Sequence, residues 1–255
     1  MTILRRAIRY GRGVIGLRAD DVLLASFPRS GSTWLRFFLA HLVSLRELEG
    51  SSIGFEQLNA MLPELGVSDL LTPWPYTSIP RVVKTHLPYS MLLGAPRRRV
   101  LVVRDPRDAM VSYYLYEQGK TRPRYTGDFA GFLRCPLGLE AWFRHQRSWG
   151  PRATLELRYE ELRAAEIDEL RRLLDLLGVA PPTDLVEEAV RRSKLKRVRE
   201  LEQRSGTGHE GRFREGFRFA GQGEAGGWRD WFAPADRELY ATLHARSGLE
   251  AYPPQ

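Results

Sequence analysis

The stretch Leu23–Leu42, LLASFPRSGSTWLRFFLAHL, limits the fold more than any other part of the chain. An unbroken apolar run, Val22–Phe27, stops at Pro28-Arg29-Ser30-Gly31-Ser32-Thr33, and apolar residues then return at helical spacing to about Leu45. A continuous apolar run reads as a strand buried on both faces, the kind found in parallel sheets covered by helices. A strand, a Gly-containing turn and a helix also make the frame of a phosphate loop, whose backbone N–H groups surround an anion at the helix N-terminus. Set on Gly-x-x-x-x-Gly-Lys-Ser/Thr, the second Gly and the final Thr fit, as Gly31 and Thr33. The first Gly is Ser26 and the Lys is Ser32, with a cation offered three residues earlier at Arg29. Such a loop suits one terminal phosphate better than a magnesium-bound triphosphate, which calls for the lysine and carboxylates. Trp34 follows at once, either as a core aromatic under the helix or as a wall for a purine.

The remaining chain repeats the strand-then-helix pattern. Strands are expected at Arg81–His86 and Arg99–Asp105, and from Ala153 into a helix that ends near Gly178. Asp105-Pro106 reads as an N-cap and first-turn pair opening a helix to about Gln118. Pro181-Pro182 opens a helix to about Leu201, a Gly-rich segment spans Gly206–Gly227, and a last helix runs from Pro234 to about Arg246. The pattern predicts an α/β protein, a P-loop-like three-layer α/β/α arrangement on a mainly parallel sheet, with residues 1–255 forming a single domain. In such sheets ligands bind beyond the carboxyl ends of the strands.

Charge and composition exclude little by themselves. The net charge of +8 is compatible with nucleic acid, a membrane surface or an acidic small ligand. Its densest runs, Pro96–Val100 and Arg191–Arg199, read as solvated faces, and no nucleic-acid motif is present. No apolar run approaches the ~20 residues of a membrane span, and the basic start lacks the features of a secretory signal. The amphipathic segment Ile3–Arg18 is expected to be a surface helix, membrane contact being the lesser reading. The only cysteine, Cys135, rules out an internal disulfide and points to a reducing cytoplasm, with a packing role for the residue itself. His41, His145, His209 and His244 have no motif around them and are read as structural or exposed.

Two further motifs sit at strand ends. In Lys84-Thr-His86-Leu-Pro, Lys84 and His86 are two apart and share a face, a cation and a base suited to moving an anionic group onto a hydroxyl. In Arg104-Asp-Pro-Arg-Asp-Ala-Met-Val-Ser112, an Arg at a strand end is followed by a Ser two helical turns on, a pair fit for a dianionic phosphate.

At these residues the chain resembles the sulfotransferases that use 3′-phosphoadenosine-5′-phosphosulfate (PAPS), the cytosolic aryl/alcohol type and its bacterial relatives. Their Pro-Lys-Ser-Gly-Thr-Thr-Trp loop stands here as Pro28-Arg29-Ser30-Gly31-Ser32-Thr33-Trp34, and their Lys-Thr-His-Leu-Pro is unchanged from Lys84 to Pro88. Their Arg with Ser eight on matches Arg104 and Ser112, and their Tyr-Glu-Asp matches Tyr159-Glu160-Glu161. Their Thr-Ser-Phe matches Ser193-Lys194-Leu195 weakly, and their Arg-Lys-Gly-x-x-Gly-x-Trp survives only in part around Gly223–Trp228. Arg29 for Lys and Leu195 for Phe are departures, and Gly221-Gln222 stands where Arg-Lys is usual. The family's Lys-x-x-x-Thr-Val-x-x-x-Glu dimer motif is absent, and the oligomeric state is open.

The resemblance implies in-line sulfuryl transfer without a metal. His86 takes the acceptor proton, and Lys84 and Arg29 stabilise charge on the transferring group. Ser30, Gly31, Ser32 and Thr33 hold the 5′-phosphate. Arg104 and Ser112 hold the 3′-phosphate, with Arg218 or Arg214 standing in for the missing Arg-Lys beside Gly223. Trp34 and Tyr159 flank the adenine, with Ser193 and Leu195 nearby. The acceptor is a small molecule, lipid or carbohydrate, held by segments 51–80 (with Trp74 and Tyr76), 113–137 and 209–219. Two other readings stand beside this one: a P-loop kinase using ATP with Asp105 on magnesium, and a non-catalytic anion-binding module.

Overall fold

The computed structural model describes residues 3–205, 211–218 and 225–254. Four strands form one parallel sheet in the order β2-β1-β3-β4. They are β1 Val22–Ser26, β2 Val82–Thr85, β3 Arg98–Val103 and β4 Leu155–Arg158. Every residue of β1 and β2 is buried, as an apolar run covered on both faces requires. Alternate side chains feed two separate cores. Val22, Leu24, Val82, Val100 and Val102 face one, while Leu23, Ala25, Val83, Leu101 and Val103 face the other.

The helices, in chain order, begin with α1 Ile3–Ile15, α2 Ser32–Glu47, α3 Phe55–Met61 and α4 Pro106–Gln118. They continue with α5 Phe129–Arg134, α6 Leu139–Trp149, α7 Tyr159–Ala164 and α8 Glu166–Leu177. The last are α9 Thr183–Ser193, α10 Leu195–Ser205 and α11 Pro234–Ser247. Residues of α2, α3 and α7–α10 build the first core; residues of α1, α4–α6 and α11 build the second, which is richer in aromatics. The result is helices on both faces of a parallel sheet, as the strand pattern predicts.

The helix starts follow their local signals. Asp105 caps α4 by accepting from Arg107 N, with Pro106 in the first turn. Gly178, at φ 73°, ends α8 in the left-handed conformation that glycine tolerates. Two expected helices are each broken in two. The helix expected up to Gly178 breaks at Ala165 (φ −127°, ψ 52°), and the one after Pro182 breaks at Lys194 (φ −52°, ψ 141°). The breaks meet in space, because Lys194 donates to the Glu166 carboxylate that opens α8. The bend at Lys194 brings Leu195 and Lys196 to the ligand cleft.

Other corrections concern loops. Trp74 and Tyr76 do not reach the cleft. They pack edge to face at 4.9 Å against the first core, and Trp74 Nε1 donates to Ile79 O. Cys135 is half-buried against the second core, as a packing residue would be. The basic start is a helix with Ile8 and Ile15 exposed, tied down by Arg12–Asp69 at 2.7 Å. No described helix is long and apolar enough to cross a membrane.

Candidate active site

A cleft of about 1710 Å³ opens beyond the carboxyl ends of β1, β2 and β3. Ligand pockets are commonly about 300–1,000 Å³, so this one has room for a nucleotide and a second molecule. The loop after β1 lies at its centre. Gly31 has φ 97° and sits against Tyr159, so a Cβ there would come within 2.7 Å of the ring. Glycine is needed twice over, for its backbone angle and for the close approach of α7. α2 has no side-chain N-cap. Its first N–H groups therefore point into the cleft with the helix dipole behind them, a ready site for an anion. Ser30 Oγ is buried beside them without a protein partner. This orphaned hydroxyl and uncapped helix fit a phosphate group.

Four of the expected residues meet on one side of the loop. Arg29, at φ 71°, turns its side chain towards α4, where Nε donates to Ser112 Oγ at 3.1 Å and the guanidinium lies 5.1 Å from the Tyr116 ring centre. Arg104 Nη1 donates to Arg29 O at 3.1 Å, and its guanidinium lies 4.6 Å from the Tyr159 ring. Burial pulls the Arg29 guanidinium down to about 10, with Arg104 adding repulsion and Tyr116 opposing it. Here Arg29 rests on Ser112, the residue expected to serve the 3′-phosphate. Thr33 and Trp34 line the cleft, and Trp34 also packs against the first core.

Lys84 and His86 come from the carboxyl end of β2. β2 ends at Thr85, so His86 is the first residue beyond the strand. His86 Nδ1 lies 2.7 Å from Ser26 O and 3.3 Å from Ser26 Oγ. A carbonyl only accepts, so Nδ1 carries the proton and Nε2 keeps its lone pair. Burial, then the Lys84 charge, holds the imidazole down to about 3, so it is neutral at physiological pH. The Lys84 side chain is 9% exposed and its Nζ donates to Glu64 at 2.9 Å.

Several residues were not legible as part of the site. Tyr116 lies four residues after Ser112, and Arg163 four after Tyr159. Both line the cleft, and one further helical step from each recognised residue would have found them. Glu64 and Arg36 carry no such signal. His145, read as structural, is indeed 1% exposed, but it lines the cleft and meets Phe27 edge-on at 5.9 Å.

Other expected residues fall outside the cleft. Ser193 is fully buried and its hydroxyl donates to Val190 O, closing its own helix end. Arg218 is exposed and away from the lining, which instead holds Arg212. Arg214 is also exposed, its N–H donating to Gly119 O. Gly223 and His209 lie outside the described residues. Asp105, the carboxylate a magnesium kinase would need, is taken up by Arg107, whose Nη2 donates to it at 2.7 Å. Among the described residues no three acidic, histidine or cysteine side chains are grouped to hold a metal ion.

Comparison with known proteins agrees with this geometry. The sulfotransferase domain family model matches residues 19–245. Sulfotransferase 1A1 of Rattus norvegicus is 26% identical over 247 residues, covering 89% of this chain and 84% of the relative. Sulfotransferase 4A1 of Homo sapiens is 30% identical over 182 residues, 64% of this chain and 62% of the relative. Among solved structures, mouse sulfotransferase SULT7A1 complexed with PAP superposes with a TM-score of 0.70 at 20% identity, over 94% of this chain and 88% of that one. Retinol dehydratase in complex with androsterone and the inactive cofactor PAP gives 0.73 at 22%, over 98% and 86%. At these identities the structures speak to the fold, while the family model spans most of the sequence and takes in the phosphate loop, the Lys84–Pro88 motif and the Arg104–Ser112 pair. The chain therefore belongs to the PAPS-dependent sulfotransferase family.

Proposed function

We propose that this protein transfers a sulfuryl group from PAPS to a hydroxyl or amine of a small, largely apolar acceptor, with His86 as the general base. The observation that carries this reading is the commitment of His86 Nδ1 to Ser26 O, which leaves Nε2 as a fixed proton acceptor in the cleft. PAPS supplies an activated sulfuryl group on a single 5′-phosphate. The N–H groups of Gly31, Ser32 and Thr33, with the hydroxyls of Ser30, Ser32 and Thr33, hold that phosphate. Arg104 and Ser112 hold the 3′-phosphate, and Trp34, Tyr159 and Leu195 enclose the adenine. Lys84 and Arg29 neutralise charge on the transferring oxygens, a role that suits fixed cations in a dry site. Burial and the Lys84 charge make the imidazole a weak base, and the anionic donor strengthens it by opposing the field of Lys84.

We assign the acceptor to the part of the cleft that Phe27, Leu87, Pro88, Tyr113, Leu137 and Ala141 line. Apolar and aromatic walls favour a phenol or a hydroxyl on a hydrophobic skeleton. Retinol dehydratase, one of the proteins of similar fold, holds androsterone in one structure and retinol in another, molecules of that kind.

The test is His86→Ala assayed with labelled PAPS and a panel of phenols and sterols, with PAP affinity measured alongside. A positioned base contributes roughly 100- to 10,000-fold, so turnover should fall by that factor while PAP affinity stays within about threefold. A variant that keeps most of its turnover removes His86 from the role.

A further inference from the structure

Lys84 is an unusual place to keep a charge. Its side chain is 9% exposed, and the groups facing it are mostly cationic. Arg36 approaches from α2 and Arg29 from the phosphate loop, and both disfavour its ammonium form, as burial itself does. His86 lies two residues on and is neutral. The single anion in this set is Glu64, 2.9 Å from Nζ.

Glu64 is held there by the backbone. Lys84 N donates to Pro63 O and Leu65 N donates to Lys84 O, each at 2.9 Å. These bonds set Glu64 directly opposite Lys84 in parallel register on the outer edge of β2. Opposed residues in a ladder present their side chains to the same face, so the carboxylate and the ammonium meet by construction. Arg36 steadies the segment before it, since Nη2 donates to Leu62 O at 2.5 Å and to Asn59 Oδ1 at 3.0 Å. Burial alone would raise this carboxylate, but the Lys84 ammonium more than offsets that and holds it below its usual range, so it is ionised at neutral pH.

We propose that Glu64 is a positioning residue for sulfuryl transfer, holding Lys84 protonated and aimed into the cleft until the anionic donor takes over the ammonium. The proposal rests on the sulfuryl-transfer reading above. A lysine without this counterion would enter the cycle in part as a neutral amine, unable to stabilise charge on the donor. Removing the carboxylate therefore acts through the alkaline side of the pH profile rather than uniformly. At low pH the ammonium survives in either protein. As pH rises, Glu64→Gln loses it first. Arg29 is a second cation of the same cleft disfavoured by burial, and its effect is common to both proteins.

The experiment measures kcat/KM and PAPS affinity from pH 6.5 to 9.5 for the wild type, Glu64→Gln, Glu64→Asp and the double variant Glu64→Gln/Lys84→Arg. Between pH 7 and pH 9, Glu64→Gln should lose several-fold more of its own neutral-pH kcat/KM than the wild type does, because removing the opposite charge favours the neutral amine. Its PAPS affinity should weaken over the same range. Glu64→Asp, with a shorter carboxylate, should fall between the two and serves as the readout should the Gln variant not fold. The double variant should lose the extra pH dependence, because a guanidinium keeps its proton throughout. Superimposable profiles for the wild type and both single variants overturn the proposal, as does a double variant that falls like Glu64→Gln. If the wild type transfers no sulfuryl group to any acceptor, the sulfuryl-transfer reading fails by itself, and PAPS affinity against pH still decides the role of Glu64.

Discussion

Acidification should destabilise this protein well above the pH at which its carboxylates titrate. Three imidazoles are kept neutral in the folded state. His41 is brought down to about 4 by burial and then Arg192, His86 to about 3 by burial and then Lys84, and His145 to about 3 by burial alone. In the unfolded chain each returns to its ordinary value of 6.5. Below that value the unfolded state binds more protons than the folded one, so stability falls as pH falls, until the folded values are reached. For one such group the loss is RT ln(1 + 10^(6.5 − pH)), about 1.2 kcal/mol between pH 7.0 and pH 5.5, or about 4 kcal/mol for three. That is a large share of the ~5–15 kcal/mol of a typical domain. Glu47, Glu64 and Glu117 are all held below their usual 4.5, so they add to acid instability only at lower pH, while Asp108, raised by burial, acts in the opposite sense as it protonates. Urea denaturation at pH 7.0, 6.0 and 5.5 measures the loss, and His41→Leu or His145→Leu should each remove about a third of the pH dependence. A loss under about 1 kcal/mol over that range would refute the claim that these rings are buried neutral, and with it the tautomer assigned to His86.

The other predictions are more local. Arg104→Met should weaken PAP by about 10- to 100-fold, the worth of a charge-assisted hydrogen bond, and leave adenosine 5′-phosphate within about threefold; equal losses for both ligands in calorimetry would detach Arg104 from the 3′-phosphate. Gly31→Ala forces a left-handed alanine, about 1–2 kcal/mol, and drives a methyl into Tyr159, so PAP binding should drop by at least about tenfold even where the melting temperature falls only modestly. Arg81→Met leaves the buried Asp21, now 2.7 Å from Arg81 Nη2, without its cation, which should cost about 3–5 kcal/mol in urea unfolding; adding Asp21→Leu should recover most of it.

The contrast between Lys84 and Glu64 shows what could be read from the chain and why the remainder could not. Arg29, Gly31, Lys84, His86 and Arg104 were legible because each is positioned by its own strand end or turn, within a few residues of an apolar run whose period is visible. The same holds for Asp105-Pro106, where cap chemistry marks the start of α4. Glu64 lies 20 residues before Lys84 and reaches it through two backbone hydrogen bonds that no local pattern encodes. The helices α3 and α5, of 7 and 6 residues, are too short to display a helical period, and tertiary packing rather than propensity holds them. Trp74 and Tyr76 were misplaced for a related reason. Aromatics in a segment without periodicity suit a pocket wall and a core equally well, and only the first core beside them decides. Arg29 shows the finest gap: its position in the loop was legible, but its φ of 71° and its bond to Ser112 were not. The sequence thus reveals the groups that strand ends and turns carry into the cleft, while contacts from Glu64, Arg36 and Tyr116 surround them with charge and packing that no local pattern encodes. Substitutions at those contacting residues should therefore change pH dependence and KM before they abolish turnover.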